Sequence, residues 1–119
     1  MEYFDNEIGE LKQKLLTMAS HAETAVNRAV EALVTRNLDL ALQVKTDDNI
    51  LDQLEVEVDN LAIHLLSKAP LARDLRFVTV AMKISQNLER IADHATNVAE
   101  EVVYLCEAQD IRHTNAKQV

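Results

Sequence analysis

The sequence predicts an all-α fold: an antiparallel three-helix bundle of long helices. Three observations carry that expectation. Turn-forming residues are scarce, three apolar seams run at helical spacing, and only two short interruptions separate them. The 119 residues contain one Gly, one Pro and no Trp, while Ala, Leu and Val are plentiful. A fold of many strands and tight turns needs more Gly and Pro than this. A chain of this length has room for one hydrophobic core, so residues 1–119 are expected to form a single domain.

The first helix is expected over approximately residues 4–35. Phe4, Ile8, Leu11, Leu15, Met18, Ala22, Ala25, Ala29 and Ala32 alternate spacings of four and three. That is a seam of period 3.5, the mark of helices packed along their length. The stretch T-R-N-L-D then offers Asn37 as an N-cap, with Asp39 in the positive first turn of a second helix over 38–68. Its seam runs Leu40, Val44, Leu51, Leu54, Val58, Leu61, Leu65 and is interrupted at Asp47. The stretch S-K-A-P-L-A-R-D ends that helix and sets Pro70 where the next can start, with Asp74 in its opening turn. The third helix, 71–108, carries Phe77, Ala81, Ile84, Leu88, Ile91, Ala95, Val98, Val102 and Leu105. At about 1.5 Å per residue it would be roughly 55 Å long. The tail 111–119 loses the seam and is expected to fray. Short connections force antiparallel neighbours, and three such rods leave one side poorly covered, so self-association is expected.

Charge narrows the function. The formal net charge is −8 and no basic cluster is present, which argues against nucleic acid and against an anionic membrane surface. An acidic chain attracts cations or basic protein surfaces. Cys106 is the sole cysteine, so no internal disulfide forms, as suits a reducing compartment. The acidic start M-E-Y-F-D-N-E does not read as a secretory signal, and no apolar run reaches membrane-spanning length. A cytoplasmic location is the expectation.

Two acidic stripes are the candidate site. Glu89, Asp93, Asn97 and Glu100 follow spacings of four, four and three. At about 100° per residue they fall within roughly 80° of one another. Asp48, Asp52, Glu55 and Asp59 make a second stripe on the preceding helix. Oxygen-only ligands suit hard cations, iron or manganese. The competing reading is a solvated helix face, since both stripes are expected roughly opposite the seams. Against it, neither stripe contains the Lys or Arg that normally offsets like charges at i, i+4.

Other groups carry less. None of His21, His64, His94 or His113 stands three residues after a Glu, so the Glu-x-x-His pattern of di-iron carboxylate bundles is missing. Cys106 follows a seam position and reads as a small buried hydrophobe. Arg73 and Arg76 flank Asp74 at a helix start, where pairing with it and anion binding both remain open. No nucleophile–base pattern is present, and a single Gly9 excludes a Walker-type loop, so no catalysis is expected.

The stretch L-E-R-I-A-D-H-A-T-N-V-A-E-E-V-V-Y-L resembles the signature of the PhoU family of phosphate-signalling regulators, whose third helix typically reads L-E-R-I-G-D-x-A-x-N-I-A-E. The turn P-L-A-R-D-L-R, the second-helix run L-D-Q-L-E-V-E-V-D and the early M-A-S-H-A-E-T-A-V are similar to further family motifs, together covering about residues 4 to 113. Ala92 replaces the family's commoner Gly, which a helix tolerates easily.

The resemblance implies a three-helix bundle, usually present twice per chain. This sequence holds one repeat, so a homodimer is expected to supply the other half. The resemblance further implies an iron or zinc cluster on a repeated E/D-x-x-x-D motif, which falls here on Glu89 and Asp93 and on Asp48 and Asp52, with Asn97 and Glu100 at flanking positions. It implies a non-enzymatic regulator that contacts a phosphate-responsive sensor histidine kinase and a phosphate ABC transporter. A metal-carrying protein, or a purely self-associating helical module, stays open beside it.

Overall fold

The computed structural model describes the backbone of residues 2–69 and 71–118 and the side chains of residues 4–69 and 71–109. Three helices follow in order: α1 Glu2–Thr35, α2 Leu38–Leu66 and α3 Ala72–Gln118. They lie side by side in a rod of 74 × 17 × 15 Å, each packed on both of the others.

The caps explain the boundaries. Arg36 takes a left-handed φ of 55°, and Asn37 N donates to Ala32 O at 3.0 Å, which closes the end of α1 as a Schellman turn. The Asn37 side chain accepts from Leu40 N at 3.1 Å, the N-cap expected for α2. Ser67 caps the far end of α2 through its backbone N–H. Pro70, expected to open the third helix, lies outside the described residues.

The α3 backbone runs on to Gln118, past the expected end at 108 and through the tail read as frayed. Residues 109–118 hold no Gly or Pro. Nothing in the local sequence breaks the helix. The helix is therefore about 70 Å long at about 1.5 Å per residue, longer than expected.

The core forms two clusters. Leu11, Met18, Leu65 and Val58 fill the end nearest the α2–α3 turn, while Ala32, Ala41, Val44, Val102 and Cys106 pack towards the α1–α2 turn. Fully burying a side chain such as Leu11 or Leu65 stabilises by about 1.5–3 kcal/mol. The α1 seam is as expected: Phe4, Leu11, Met18, Ala22, Ala29 and Ala32 are buried, with Ile8, Leu15 and Ala25 half-buried. The interruption of the α2 seam at Asp47 also has a cause, because Asp47 Oδ2 accepts from Arg28 Nη1 of α1 at 3.0 Å.

The α3 seam differs from expectation. Its buried row is Val78, Ala81, Ser85, Ala92, Ala95, Ala99, Val102 and Cys106, with Leu88 half-buried. Ala81, Leu88, Ala95 and Val102 belong to both rows, but every other position moves one residue along. Ile84, Ile91 and Val98 are consequently 44%, 45% and 39% exposed. Averaged over the row, the shift amounts to a helix rotation of roughly 50°. Ser85, Ala92 and Ala99 are small, so α3 can press closely against α1 and α2, where isoleucines would overpack.

Candidate metal centre

The rotation of α3 sets the site. The acidic stripes were expected to face outward, away from the core. Instead it turns Glu89 and Asp93 towards α2, and the two stripes meet across the α2–α3 groove. Asp48, Asp52 and Asp93 bring one carboxylate oxygen each to within 4.8 Å of the others. Asp52, Glu55 and Glu89 form a second such group, so Asp52 belongs to both.

The electrostatics record how tightly these acids are held. Burial raises the Asp48 carboxyl above its ordinary range, and the charges of Asp52, Asp93 and Glu100 raise it further. Thr96, whose hydroxyl donates to Ala92 O at 3.0 Å, lies alongside Asp48 and pulls the other way. Glu55 is raised by burial, then by Asp59, Asp52 and Asp93. Glu89 is raised by burial, then by the charges of Glu55 and Asp93, a hydrogen bond with Asp93 and the charge of Asp52. Burial disfavours the ionised form and like charges disfavour it again, so the cluster lacks a counter-charge.

Among the described residues, no Lys, Arg or His pairs with these five carboxylates. The ion pairs join Lys14 to Glu10 and Glu57, Arg28 to Asp47 and His64 to Glu7. Asp48 Oδ1 is shut off from solvent without a hydrogen-bond partner. Arg28 of α1 is paired with Asp47 at 3.0 Å. The two residues line a cavity of about 260 Å³ with Ser20, His21 and Thr24, which opens next to Asp48. The donor set is oxygen throughout, with hard, anionic ligands from two rigid helices. It matches iron or manganese; zinc, which favours nitrogen and sulfur, suits it less well.

Of the six sequence-derived ligands, Asp48, Asp52, Glu89 and Asp93 converge. Glu100 is near enough to act on Asp48 but stands outside both groups. Asn97 and Glu100 both border a neighbouring groove, with Leu33, His94, Val98 and Tyr104. Glu55 belongs to the cluster although only its place on the α2 stripe pointed to it. His94 is exposed, His64 is engaged by Glu7, and the His113 side chain lies outside the described residues.

The PhoU domain family matches residues 15–102, three quarters of the chain. The chain belongs to the PhoU family. It is 43% identical over 103 residues to the phosphate-specific transport system accessory protein PhoU homolog of Zymomonas mobilis, covering 86% of this chain and 44% of that protein. With the protein of the same description from Aquifex aeolicus it shares 35% over 107 residues, or 89% of this chain and 48% of the relative. The crystal structure of PhoU from Pseudomonas aeruginosa superposes with a TM-score of 0.85 at 34% identity, covering 92% of this chain and 56% of that one. The chain thus spans about half the length of the PhoU relatives it matches.

Proposed function

We propose that this PhoU-family chain is a non-enzymatic, cytoplasmic regulator of phosphate uptake that acts through protein contacts and binds metal on the α2–α3 groove. The description of its relatives as accessory proteins of a phosphate-specific transport system supports the first part. The convergence of five carboxylates without a cationic partner among the described residues carries the second. No described helix is long and apolar enough to cross a membrane, which fits a protein that works on a membrane transporter from outside the bilayer. Its partners would be a phosphate ABC transporter and a phosphate-responsive sensor histidine kinase, with a second copy of the chain completing the regulator.

Asp48, Asp52 and Asp93 would hold one ion, and Asp52, Glu55 and Glu89 a second, sharing Asp52. Bound cations would supply the positive charge that the groove lacks, removing repulsion between α2 and α3 and changing the surface offered to a partner. No residue of the chain is assigned a catalytic role.

The test joins metal content to regulation. Protein purified from cells is analysed for iron, manganese and zinc beside a Glu89→Ala/Asp93→Ala variant, and both are used to complement a deletion strain carrying a phosphate-starvation reporter. The wild type should carry metal and restore the reporter response, and the variant should do neither. Equal metal in both proteins would remove these residues from the site. A deletion that leaves phosphate uptake and reporter unchanged would overturn the regulatory reading.

A further inference from the structure

Ser20, His21, Thr24 and Arg28 stand on one side of α1, within roughly 100° of one another. Together with Asp47 and Asp48 of α2 they line a cavity of about 260 Å³. Ala25 of α1 and Ala92 of α3 border the same space, and side chains this small leave room between the helices.

The hydroxyls of this cavity differ from the others in the chain. Thr17, Thr35, Thr46, Thr79 and Thr96 each donate to a backbone carbonyl one turn back. Ser67 donates to His64 O, and Ser85 to Met18 Sδ. Among the described residues, only Ser20 and Thr24 hold a hydroxyl with no such partner. His21, half-buried beside them, pairs with no acid among the described residues. Arg28 and Asp47 pair with each other, so together they bring no net charge to the lining. Asp48 completes the set, because its Oδ1 is shut off from solvent and has no hydrogen-bond partner. Free hydroxyls, an imidazole and a shielded carboxylate oxygen around one polar space are the lining that ordered water takes.

Asp48 belongs both to this lining and to the carboxylate group with Asp52 and Asp93. Three carboxylates giving one oxygen each leave an octahedral cation with positions open to water. Water ligands are fixed by the hydrogen bonds they make outward, and those bonds tune metal affinity. We propose that the cavity is the hydrated side of the Asp48 cation position, where Ser20, His21 and Thr24 of α1 anchor the water ligands of the metal. This rests on the metal reading above and extends that site to α1. The waters donate to the two hydroxyl oxygens and to a ring nitrogen of His21. Direct ligation by His21 is not part of the arrangement, since His21 joins neither group of converging acids. Cation binding in the α2–α3 groove then ties α1 to the other two helices, so one ion stiffens the whole bundle at this level.

Calorimetric titration of the metal-free full chain with manganese(II) and, under anaerobic conditions, iron(II) tests the proposal. Ser20→Ala/His21→Leu/Thr24→Val should bind the metal about 10-fold or more weakly than the wild type, the loss that removal of outer hydrogen bonds brings. Thr24→Val keeps the shape of the side chain without its hydroxyl and should bind several-fold more weakly. Thr24→Ser keeps the hydroxyl and should bind like the wild type, which a packing role for Thr24 would not produce. Equal weakening by Thr24→Val and Thr24→Ser assigns the effect to packing and overturns the proposal. Wild-type affinity in the triple variant overturns it as well, and leaves the carboxylate groove with its metal. A wild type that takes up neither ion overturns the metal reading itself, and the α1 contribution with it.

Discussion

Glu7 Oε2 of α1 lies 3.0 Å from His64 Nε2 of α2, tying the second turn of one helix to the last turn of the next. Glu7 is only 8% exposed, and its other oxygen, Oε1, is buried without a hydrogen-bond partner. The pair is therefore one-sided: the imidazole reaches solvent, while the carboxylate depends on it. Removing the partner of a buried acceptor costs more than the hydrogen bond contributes. His64→Ala should lower stability by about 1–2 kcal/mol, discounted for the solvent at the imidazole. Glu7→Gln should cost less, because a neutral amide tolerates burial better. Urea midpoints of the two single variants and the double variant measure both effects. An unmoved midpoint in His64→Ala would show that the pair contributes nothing.

The acidic groove makes stability depend on pH in the direction opposite to most carboxylates. Asp48, Glu55 and Glu89 are all raised, by burial first and by neighbouring acids second. Within the window from the unfolded carboxylate pKa of about 4 up to the raised folded values, the folded chain binds more protons than the unfolded one. Stability contributed by these groups therefore grows as pH falls through that window, and their penalty is complete above it. Metal-free protein should show a higher Tm near pH 5 than near pH 7, and Asp52→Asn should flatten the difference by removing a shared repulsion. Scanning calorimetry at both pH values checks this. A Tm that is lower at pH 5 in the wild type would contradict the raised acids.

Asp52 is the residue common to both carboxylate groups. Asp52→Asn should therefore cost more metal than any other single substitution in the groove. Asn97→Ala should lower metal content less than any carboxylate substitution in the groove, since a neutral amide is the weaker ligand for a hard cation. Manganese or ferrous iron should raise the Tm of the wild type but not of Asp52→Asn, by the mass-action stabilisation that any ligand of the folded state supplies. Titration of metal-free protein followed by elemental analysis distinguishes the variants. Equal uptake by the wild type and Asp52→Asn would remove the shared position.

What was legible in the sequence follows from what periodicity encodes. The α1 seam had one apolar row of sufficient length, so its buried face was fixed. On α3, Ile84, Ile91 and Val98 compete with Ser85, Ala92 and Ala99 for the same place, and both rows obey the four–three spacing. Large apolar residues look like the better core, yet three closely packed helices favour small ones at the centre. That choice depends on the interhelical distance, which no single helix contains. The rotation it sets also decided that the acidic stripes face each other, so four of the six candidate ligands come together across a groove instead of pointing outward. Glu55 became a member only once a second helix supplied Glu89. Glu7 left no signal, because it stands beside a seam residue like many exposed acids.

The α1–α2 turn holds the last prediction. Arg36 adopts φ 55°, a conformation that an L side chain resists and Gly enters freely. The turn needs it: only with Arg36 in that region can Asn37 N reach Ala32 O, and Asn37 then begins α2 at once. The Arg36 carbonyl also accepts a contact from Cys106 Sγ at 3.6 Å, which seats the turn on α3. The Arg36 side chain is exposed and adds no core packing. Arg36→Gly keeps every backbone contact and removes the left-handed strain, while the freer unfolded chain takes back part of the gain. It should stabilise the protein by about 0.5–1 kcal/mol. Arg36→Val, β-branched at the same φ, should destabilise it. Urea denaturation of the two variants beside the wild type reads the sign directly: a glycine variant less stable than the valine variant would show that backbone conformation does not govern this turn.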